Sequence, residues 1–221
     1  MNIMTKSEFQ SYQEKYATTI EAIRDEAHAL HQSVNQTYGD NLPYGFHLDM
    51  VAEGIRDYGH LVCASEADVV PLFFGAYFHD SIEDARQSYH DITKRAQKFM
   101  NDDQALMAAE IVFALTNDKG RTRAERAGER YFQGIRETAY APFVKLCDRL
   151  ANVTYSCTVD GGHFDRMREV YKGEMGEFLM AIRTDSDDIR YQVPDEVVIA
   201  LAEILIEERY QEEALEQWKN R

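Results

Sequence analysis

The chain has 221 residues and a formal net charge of −15 at pH 7, from 24 basic and 39 acidic side chains. This length suffices for one sizeable hydrophobic core and predicts a single domain over residues 1–221. The acidic balance argues against a nucleic-acid partner, because a general binder needs a basic surface. A small phosphorylated ligand stays compatible with it, since one basic pocket or a metal ion locally overcomes the overall field.

Cysteine usage and hydropathy indicate the cellular compartment in which we expect the protein. The chain has three cysteines, an odd number without a C-x-x-C pair, which indicates neither a disulfide framework nor a zinc ribbon. The first ten residues lack the apolar core of a signal peptide, and no run approaches eighteen apolar residues. We therefore expect a cytoplasmic protein with reduced thiols and no membrane partner.

The spacing of apolar residues predicts an all-α protein and shows no convincing strand pattern. We expect helical structure over residues 7–34, a loop at 36–43, and a helix from Phe46 to near Gly59. Pro71 lies near the start of the next helix, where its missing N–H costs nothing. Further helices are expected over residues 88–100, 102–115, 121–134, 143–153, 164–182 and 195–218, with breaks at 117–120 and 161–162.

Residues 79–84 concentrate one imidazole and three carboxylates within six positions. On a helix, the last two of these acidic residues fall three to five positions after the first His-Asp pair, so the side chains project from one side. The preceding residues 72–78 are apolar, so part of the cluster is expected to be buried, where unpaired charge is costly. A bound cation would resolve this conflict.

A divalent ion in a helical protein needs imidazole and carboxylate ligands from segments distant in sequence. The chain supplies such a set in His47, His79, Asp80 and Asp148. Two imidazoles and two carboxylates suit Mn²⁺, Fe²⁺ or Zn²⁺ better than Ca²⁺, which prefers oxygen ligands alone. An ion with spare coordination positions lowers the pKa of a water and polarises a phosphoryl oxygen, which is the equipment of a hydrolase.

Three segments resemble the HD-domain phosphohydrolases and, more narrowly, the RelA/SpoT-type alarmone hydrolases. Residues 79–84 match the HDxxED signature of that branch, and residues 145–152 (KLCDRLAN) resemble its KLADRLHN motif. Residues 115–119 (LTNDK) lie where the family has a V-T-x-D/K stretch. The resemblance covers about residues 20–182, and we expect a small, stand-alone hydrolase without a synthetase domain.

The resemblance implies an HD-domain helical bundle, with the helix at 195–218 packed on the family-like core. It implies a Mn²⁺-dependent enzyme that removes the 3′-pyrophosphate of (p)ppGpp, or of a close purine analogue, and releases pyrophosphate. Glu83 and Asp84 would orient and deprotonate the attacking water, and Asn152 would contact the nucleotide. The implied metal ligands are His47, His79, Asp80 and Asp148.

Several assignments have alternatives. His60, near an expected helix end, is a rival first ligand; His47 is preferred because Val51 reproduces the family's H-x-x-x-V spacing. Lys119 and Arg123 are expected to bind phosphates, although the acidic residues between the basic ones equally favour a solvated helix face. Four other histidines show no partner pattern, which is typical of surface or core positions: His28, His31, His90 and His163.

The chain also departs from the family. The R-x-S-G-E-P-Y stretch ahead of the first metal histidine corresponds here to residues 37–44, which keep Pro43-Tyr44 and lose the arginine. Two other functions stay open: another metal-dependent nucleotide phosphohydrolase of the HD superfamily, and a catalytically silent, alarmone-binding helical module. An enzyme is favoured because a silent copy would be free to lose some of the residues retained here, which are His47, His79, Asp80, Glu83, Asp84, Asp148 and Asn152.

Overall fold

The chain folds into helices joined by short connections, as a computed structural model shows for residues 4–39, 41–158 and 162–205, without the side chains of residues 123 and 124. In chain order the helices are α1 (Lys6–Lys15), α2 (Ala17–Ser33), α3 (Gly45–Tyr58), α4 (Val69–Phe78), α5 (Tyr89–Ala96), α6 (Asp102–Ala114), α7 (Arg123–Arg126), α8 (Glu129–Glu137), α9 (Ala141–Thr158), α10 (Gly162–Ile182) and α11 (Asp195–Leu205). Short 3₁₀ helices cover Gly59–Leu61, Glu66–Asp68 and Ile189–Tyr191. The prediction of an all-α fold is confirmed.

Capping residues account for several helix starts. Thr5, Ser88 and Asn101 are the N-caps of α1, α5 and α6, and each accepts a hydrogen bond from the backbone three residues on. In all three cases the residue at that third position returns a hydrogen bond to the cap, completing a capping box. These helices therefore begin where their polar side chains satisfy the first free N–H groups.

Helix α4 forms the centre of the molecule, and all ten of its residues are buried. A helix that is apolar on every side needs neighbours all around it, and α2, α3, α6 and α9 pack against α4. Gly75 allows α6 to approach closely, because a Cβ there would lie 2.6 Å from Cγ2 of Ile111. The buried residues form one hydrophobic cluster that includes Met4 and Leu205.

Several predicted boundaries were wrong. Residues 7–34 form two helices, because the backbone leaves helical geometry at Tyr16, whose hydroxyl donates to Glu66. The predicted loop at 36–43 contains a small antiparallel hairpin of β1 (Thr37–Tyr38) and β2 (Leu42–Pro43). The helix expected at 121–134 is replaced by α7 and α8, and α5 ends before residue 100.

The last described helix, α11, packs against α9 and buries Val197, Leu201 and Leu205. Residues 206–218 of the helix predicted there lie outside the described residues, as does Gly161 of the predicted turn, whereas Gly162 begins α10. Among the described residues, none of the helices combines the length and apolarity that crossing a membrane requires.

Candidate metal centre

Four predicted ligands from three separate segments converge at one point. His47 lies in the first turn of α3, His79 and Asp80 follow α4, and Asp148 lies in the middle of α9. Nε2 of His47 lies 3.3 Å from Nε2 of His79, 3.6 Å from Oδ2 of Asp80 and 3.3 Å from Oδ1 of Asp148. We call these four residues the metal cluster.

Close helix packing produces this convergence. Helix α3 packs against both α4 and α9, and Gly54 of α3 faces Cys147 of α9, where a Cβ would lie 3.0 Å from the sulfur. This contact involves the residue directly before Asp148. His47, His79 and Asp148 are buried, with exposed fractions of 2%, 1% and 7%.

The prediction that residues 79–84 lie on a helix was wrong. Helix α4 ends at Phe78, and the segment continues as hydrogen-bonded turns, in which Ser81 N–H donates to the carbonyl of Phe78. Adjacent residues on a helix do not share a face, whereas here Nε2 of His79 lies 2.9 Å from Oδ2 of Asp80. The turns thus direct two neighbouring side chains to one point.

The ring of His79 has a determined orientation. Its Nδ1 lies 2.8 Å from the carbonyl of Ala76, and because a carbonyl only accepts, Nδ1 carries the proton. When the ring is neutral, its Nε2 therefore carries a lone pair, which faces Nε2 of His47 at 3.3 Å and can be satisfied by a cation or by a proton. This donor set fits a divalent transition metal, with imidazole nitrogens and carboxylate oxygens converging.

The carboxylates around His79 also favour a proton on its ring. Burial lowers the pKa of His79, but the carboxylates of Asp80 and Asp148 outweigh burial and raise it to about 9. Burial likewise opposes ionisation of Asp80, and the nearby His79 holds its pKa below its usual range. A metal ion would compete with this proton for the same imidazole nitrogen.

Lys145 is the residue of the site that the sequence interpretation missed. Lys145 lies one helical turn before Asp148 on α9, and its ammonium donates to Oδ2 of Asp148 at 2.7 Å. Burial disfavours the charged lysine, but the carboxylate outweighs burial, so the pKa of Lys145 is raised above its ordinary value. It opens the KLCDRLAN segment, so the motif itself contained the signal.

Asn152 also supports Asp148, since its amide donates to Oδ1 at 2.6 Å. The amide oxygen of Asn152 accepts from the Tyr38 hydroxyl at 2.9 Å. Tyr38 in turn lies almost parallel to the imidazole of His47, with ring centroids 4.8 Å apart. Asn152 thus orients a predicted ligand, in addition to its predicted role toward the nucleotide.

The two predicted catalytic carboxylates are held by different partners. The amide of Asn117 donates to both oxygens of Glu83, at 2.8 and 3.1 Å. Asp84 accepts from Gln36 at 2.6 Å, and its Oδ2 lies 3.3 Å from the hydroxyl of Tyr44. Partial loss of hydration, together with the charge of Asp80, raises the pKa of Asp84.

Tyr44 connects the metal cluster to Asp84, because its hydroxyl donates to Oδ2 of Asp80. Burial and the Asp80 carboxylate raise the pKa of Tyr44, so the phenol keeps its proton and acts as a donor. The retained Pro-Tyr pair of the 37–44 stretch thus has a structural role beside the site.

The other predicted residues are Lys119, Arg123 and the alternative ligand His60. Lys119 is exposed in the connection between α6 and α7, and the side chain of Arg123 is outside the described residues. His60, the rival first ligand, lies in the 3₁₀ helix Gly59–Leu61 and does not belong to the cluster that His47 joins.

Two cavities flank Asn152 and Tyr171, which line both. The first, about 200 Å³, contains Asp148 and Glu83 together with the cations Lys145, Arg149 and Arg126. The second, about 320 Å³, is lined mainly by aromatic rings. Its ring residues are Tyr38, Tyr155, His163, Phe164 and Tyr171.

Comparisons with protein-family models, with curated proteins and with solved structures gave no match to this chain. The resemblance of its motifs to the alarmone hydrolases therefore stays a prediction.

Proposed function

We propose that this chain is a Mn²⁺-dependent phosphohydrolase that removes the 3′-pyrophosphate of (p)ppGpp or a close purine analogue. The convergence of His47, His79, Asp80 and Asp148 beside a cavity with basic side chains is the observation that carries the proposal. The four residues would hold the ion. Bound there, it would supply Lewis acidity toward a phosphoryl oxygen and lower the pKa of the attacking water.

Glu83 and Asp84 supply the proton chemistry. The carboxylate of Glu83 borders the basic cavity and is anchored by Asn117, so it can orient a water and accept its proton. The raised pKa of Asp84 moves that carboxyl toward the range in which a base works at neutral pH. Two carboxylates with separate supports can divide orientation and proton acceptance between them.

The two cavities match the two halves of a nucleotide. Arg126 and Arg149 line the first cavity, and their guanidinium groups can bind a pyrophosphate bidentately, while the charge of Lys145 beside them is matched by Asp148. The aromatic cavity offers ring faces on which a purine can stack. Asn152, between them, is positioned to contact the sugar. This complementarity supports a nucleotide as substrate despite the net charge of −15.

Product analysis tests the proposal. Purified protein with Mn²⁺ would be incubated with ppGpp, pppGpp, ppApp and simple nucleoside monophosphates, and the products separated by anion exchange. We expect water to attack the phosphorus attached to the ribose 3′ oxygen, so that the bond to that oxygen breaks. With ppGpp the products are GDP and pyrophosphate, and in ¹⁸O water the label enters the pyrophosphate.

Other outcomes would replace the proposal. Orthophosphate released from a monophosphate would indicate a different HD-type nucleotidase. Binding of ppGpp with no turnover, in protein loaded with Mn²⁺, would indicate the catalytically silent module.

A further inference from the structure

A chain of hydrogen bonds runs from Asp84 into the protein interior. The amide nitrogen of Gln36 donates to Oδ2 of Asp84 at 2.6 Å, and its oxygen lies 2.6 Å from Nδ1 of His31. Nε2 of His31, on the other side of the ring, lies 3.4 Å from the hydroxyl of Ser81. His31 and Ser81 are fully buried, so this chain starts in the core and ends at a candidate catalytic carboxylate.

The direction of every hydrogen bond in this chain follows from Asp84. A carboxylate only accepts, so Gln36 must present its NH₂ group to Asp84 and its oxygen to His31. His31 must then donate from Nδ1, which leaves Nε2 as an acceptor for the Ser81 hydroxyl. Burial lowers the pKa of His31, which keeps the ring neutral and this tautomer available.

The end of helix α2 determines where Gln36 lies. Asn35 adopts a left-handed conformation, with φ of 55°, and the N–H groups of Asn35 and Gln36 donate to the carbonyls of Gln32 and His31. This is a Schellman motif, which places Gln36 against the last turn of the helix. An apolar pair often makes that contact; here Gln36 and His31 make it with polar groups.

A second contact connects His31 to the site. Its ring stacks on the ring of Tyr44, with centroids 4.7 Å apart and planes 16° from parallel. The hydroxyl of Tyr44 donates its one hydrogen to Asp80 and lies 3.3 Å from Oδ2 of Asp84. His31 therefore supports both polar neighbours of Asp84: Gln36 by a hydrogen bond and Tyr44 by packing.

We propose that His31 and Gln36 are positioning residues that hold the carboxylate of Asp84 toward the attacking water. The proposal rests on the proposed function, because Asp84 has a catalytic role only if the protein carries out the proposed hydrolysis. Neither residue lies within the metal cluster, so their loss should lower turnover without changing metal content. Outer-shell partners of this kind are typically worth 10- to 100-fold in activity.

The first test is Gln36→Met, which keeps the length of the side chain and removes both polar ends. We expect kcat on the accepted nucleotide to fall about 10- to 100-fold, with KM and Mn²⁺ content unchanged. The matched control is Gln97→Met, because Gln97 also donates to an aspartate, Asp102, at an exposed position directly after α5. Equal kcat in both variants and in the wild type would overturn the proposal.

A pair of His31 variants separates the hydrogen bond from packing. His31→Asn keeps a donor that can reach Gln36, whereas His31→Phe keeps a ring that can stack on Tyr44 and loses the donor. We expect His31→Asn to retain kcat within a few-fold and His31→Phe to lose as much as Gln36→Met. The reverse order would show that the ring only packs, and would overturn the positioning role.

Nuclear magnetic resonance of ¹⁵N-histidine-labelled protein tests the same chain of hydrogen bonds without an assay. We expect His31 to carry its proton on Nδ1, with a downfield signal that shifts in Gln36→Met and not in Gln97→Met. A proton on Nε2, or an unchanged signal in Gln36→Met, would overturn the inference. If the wild type hydrolyses no nucleotide while the signal behaves as expected, the proposed function fails and the hydrogen-bonded chain stands.

Discussion

Two sites in the described part of the chain are built on buried aspartates, and they differ in how many acceptors meet. In the first, which we call the Asp68 brace, Oδ2 of Asp68 accepts from the hydroxyls of Tyr140 at 2.8 Å and Ser65 at 3.0 Å. The oxygen of Tyr140 accepts from the N–H of Ala64 at 3.2 Å. Each donor in the brace faces an acceptor, so it needs no additional ion.

The metal cluster brings together two carboxylates instead of one, and with them two imidazole Nε2 atoms. Lys145, Tyr44 and Asn152 donate to these carboxylates, and the raised pKa of His79 favours a proton on its ring. Acceptors that face one another in a buried site are costly without positive charge. Burial of one aspartate therefore does not indicate a metal site, whereas two carboxylates and two imidazoles that converge make a candidate for one.

The same substitution in each cluster would test this comparison most strongly. Asp148→Asn keeps the shape and an acceptor for Lys145 but removes a charged ligand, so we expect Mn²⁺ content to fall from one ion per chain toward zero. Turnover should fall about 10³-fold, the equivalent of the several kcal/mol that a metal ion contributes. Elemental analysis after dialysis measures the content, and Asp68→Asn is the control that should stay fully loaded. Full occupancy in Asp148→Asn would remove that residue from the ligand set.

Glu83 separates metal binding from chemistry. Glu83→Gln keeps size and hydrogen-bonding capacity but cannot accept a proton, so turnover should fall about 10²- to 10⁴-fold, the usual contribution of general acid–base catalysis. Steady-state kinetics and elemental analysis together check that metal content is unchanged. Turnover within a few-fold of the wild type would make Glu83 structural and leave Asp84 as the candidate base.

The Asp68 brace should respond in stability and not in activity. Tyr140→Phe removes the hydroxyl that donates to Asp68 and accepts from Ala64, which leaves the N–H of Ala64 without this acceptor and Asp68 with the hydroxyl of Ser65 as its donor. We expect the free energy of unfolding to fall by about 1–3 kcal/mol, as measured by urea denaturation. Mn²⁺ content should stay at the wild-type value, and its loss would show that the two clusters are coupled.

The smallest effect is expected at Asp188, in the segment that accepts a hydrogen bond from Tyr140. The backbone N–H of Tyr140 donates to the carbonyl of Arg190, and the guanidinium of Arg190 binds Asp188 and lowers the pKa of that carboxyl. Because the pKa of Asp188 is lower in the folded state, its ion pair stabilises the fold fully at pH values above the unfolded pKa, which is near 3.8. This stabilisation is lost as the pH falls through the lower, folded pKa. Asp188→Asn, which keeps the cap on Arg190 N–H, should cost about 0.5 kcal/mol at pH 7. Denaturation at pH 2.5 should show a smaller difference, and an equal one would refute the electrostatic explanation.

Much of the fold was predictable because its signals are local. The capping boxes at Ser88 and Asn101 need only residues within one helical turn, and the starts of α5 and α6 were predicted to within a residue. Where tertiary contacts override local preference, the prediction failed. The helix break at Tyr16 accompanies a hydrogen bond to Glu66, which is 50 positions away.

The candidate site divides in the same way. His47, His79, Asp80 and Asp148 were identified from residue type and motif, because ligand chemistry depends on the side chain itself. Their supports were not, since Gln36 and Asp84 are 48 positions apart and Tyr38 and Asn152 are 114 apart. No periodicity relates residues at such separations.

The sequence by itself determined the helical class, most helix starts and the identities of the four metal-cluster residues, because these follow from apolar spacing, capping and ligand chemistry. Only the tertiary structure decided that α4 ends at Phe78, that Lys145 neutralises Asp148, and that His31 reaches Asp84 through Gln36. The physical reason is that these features depend on which side chains meet when α2, α3, α4 and α9 pack together. Burial then determines which hydrogen bonds and charges each side chain must find.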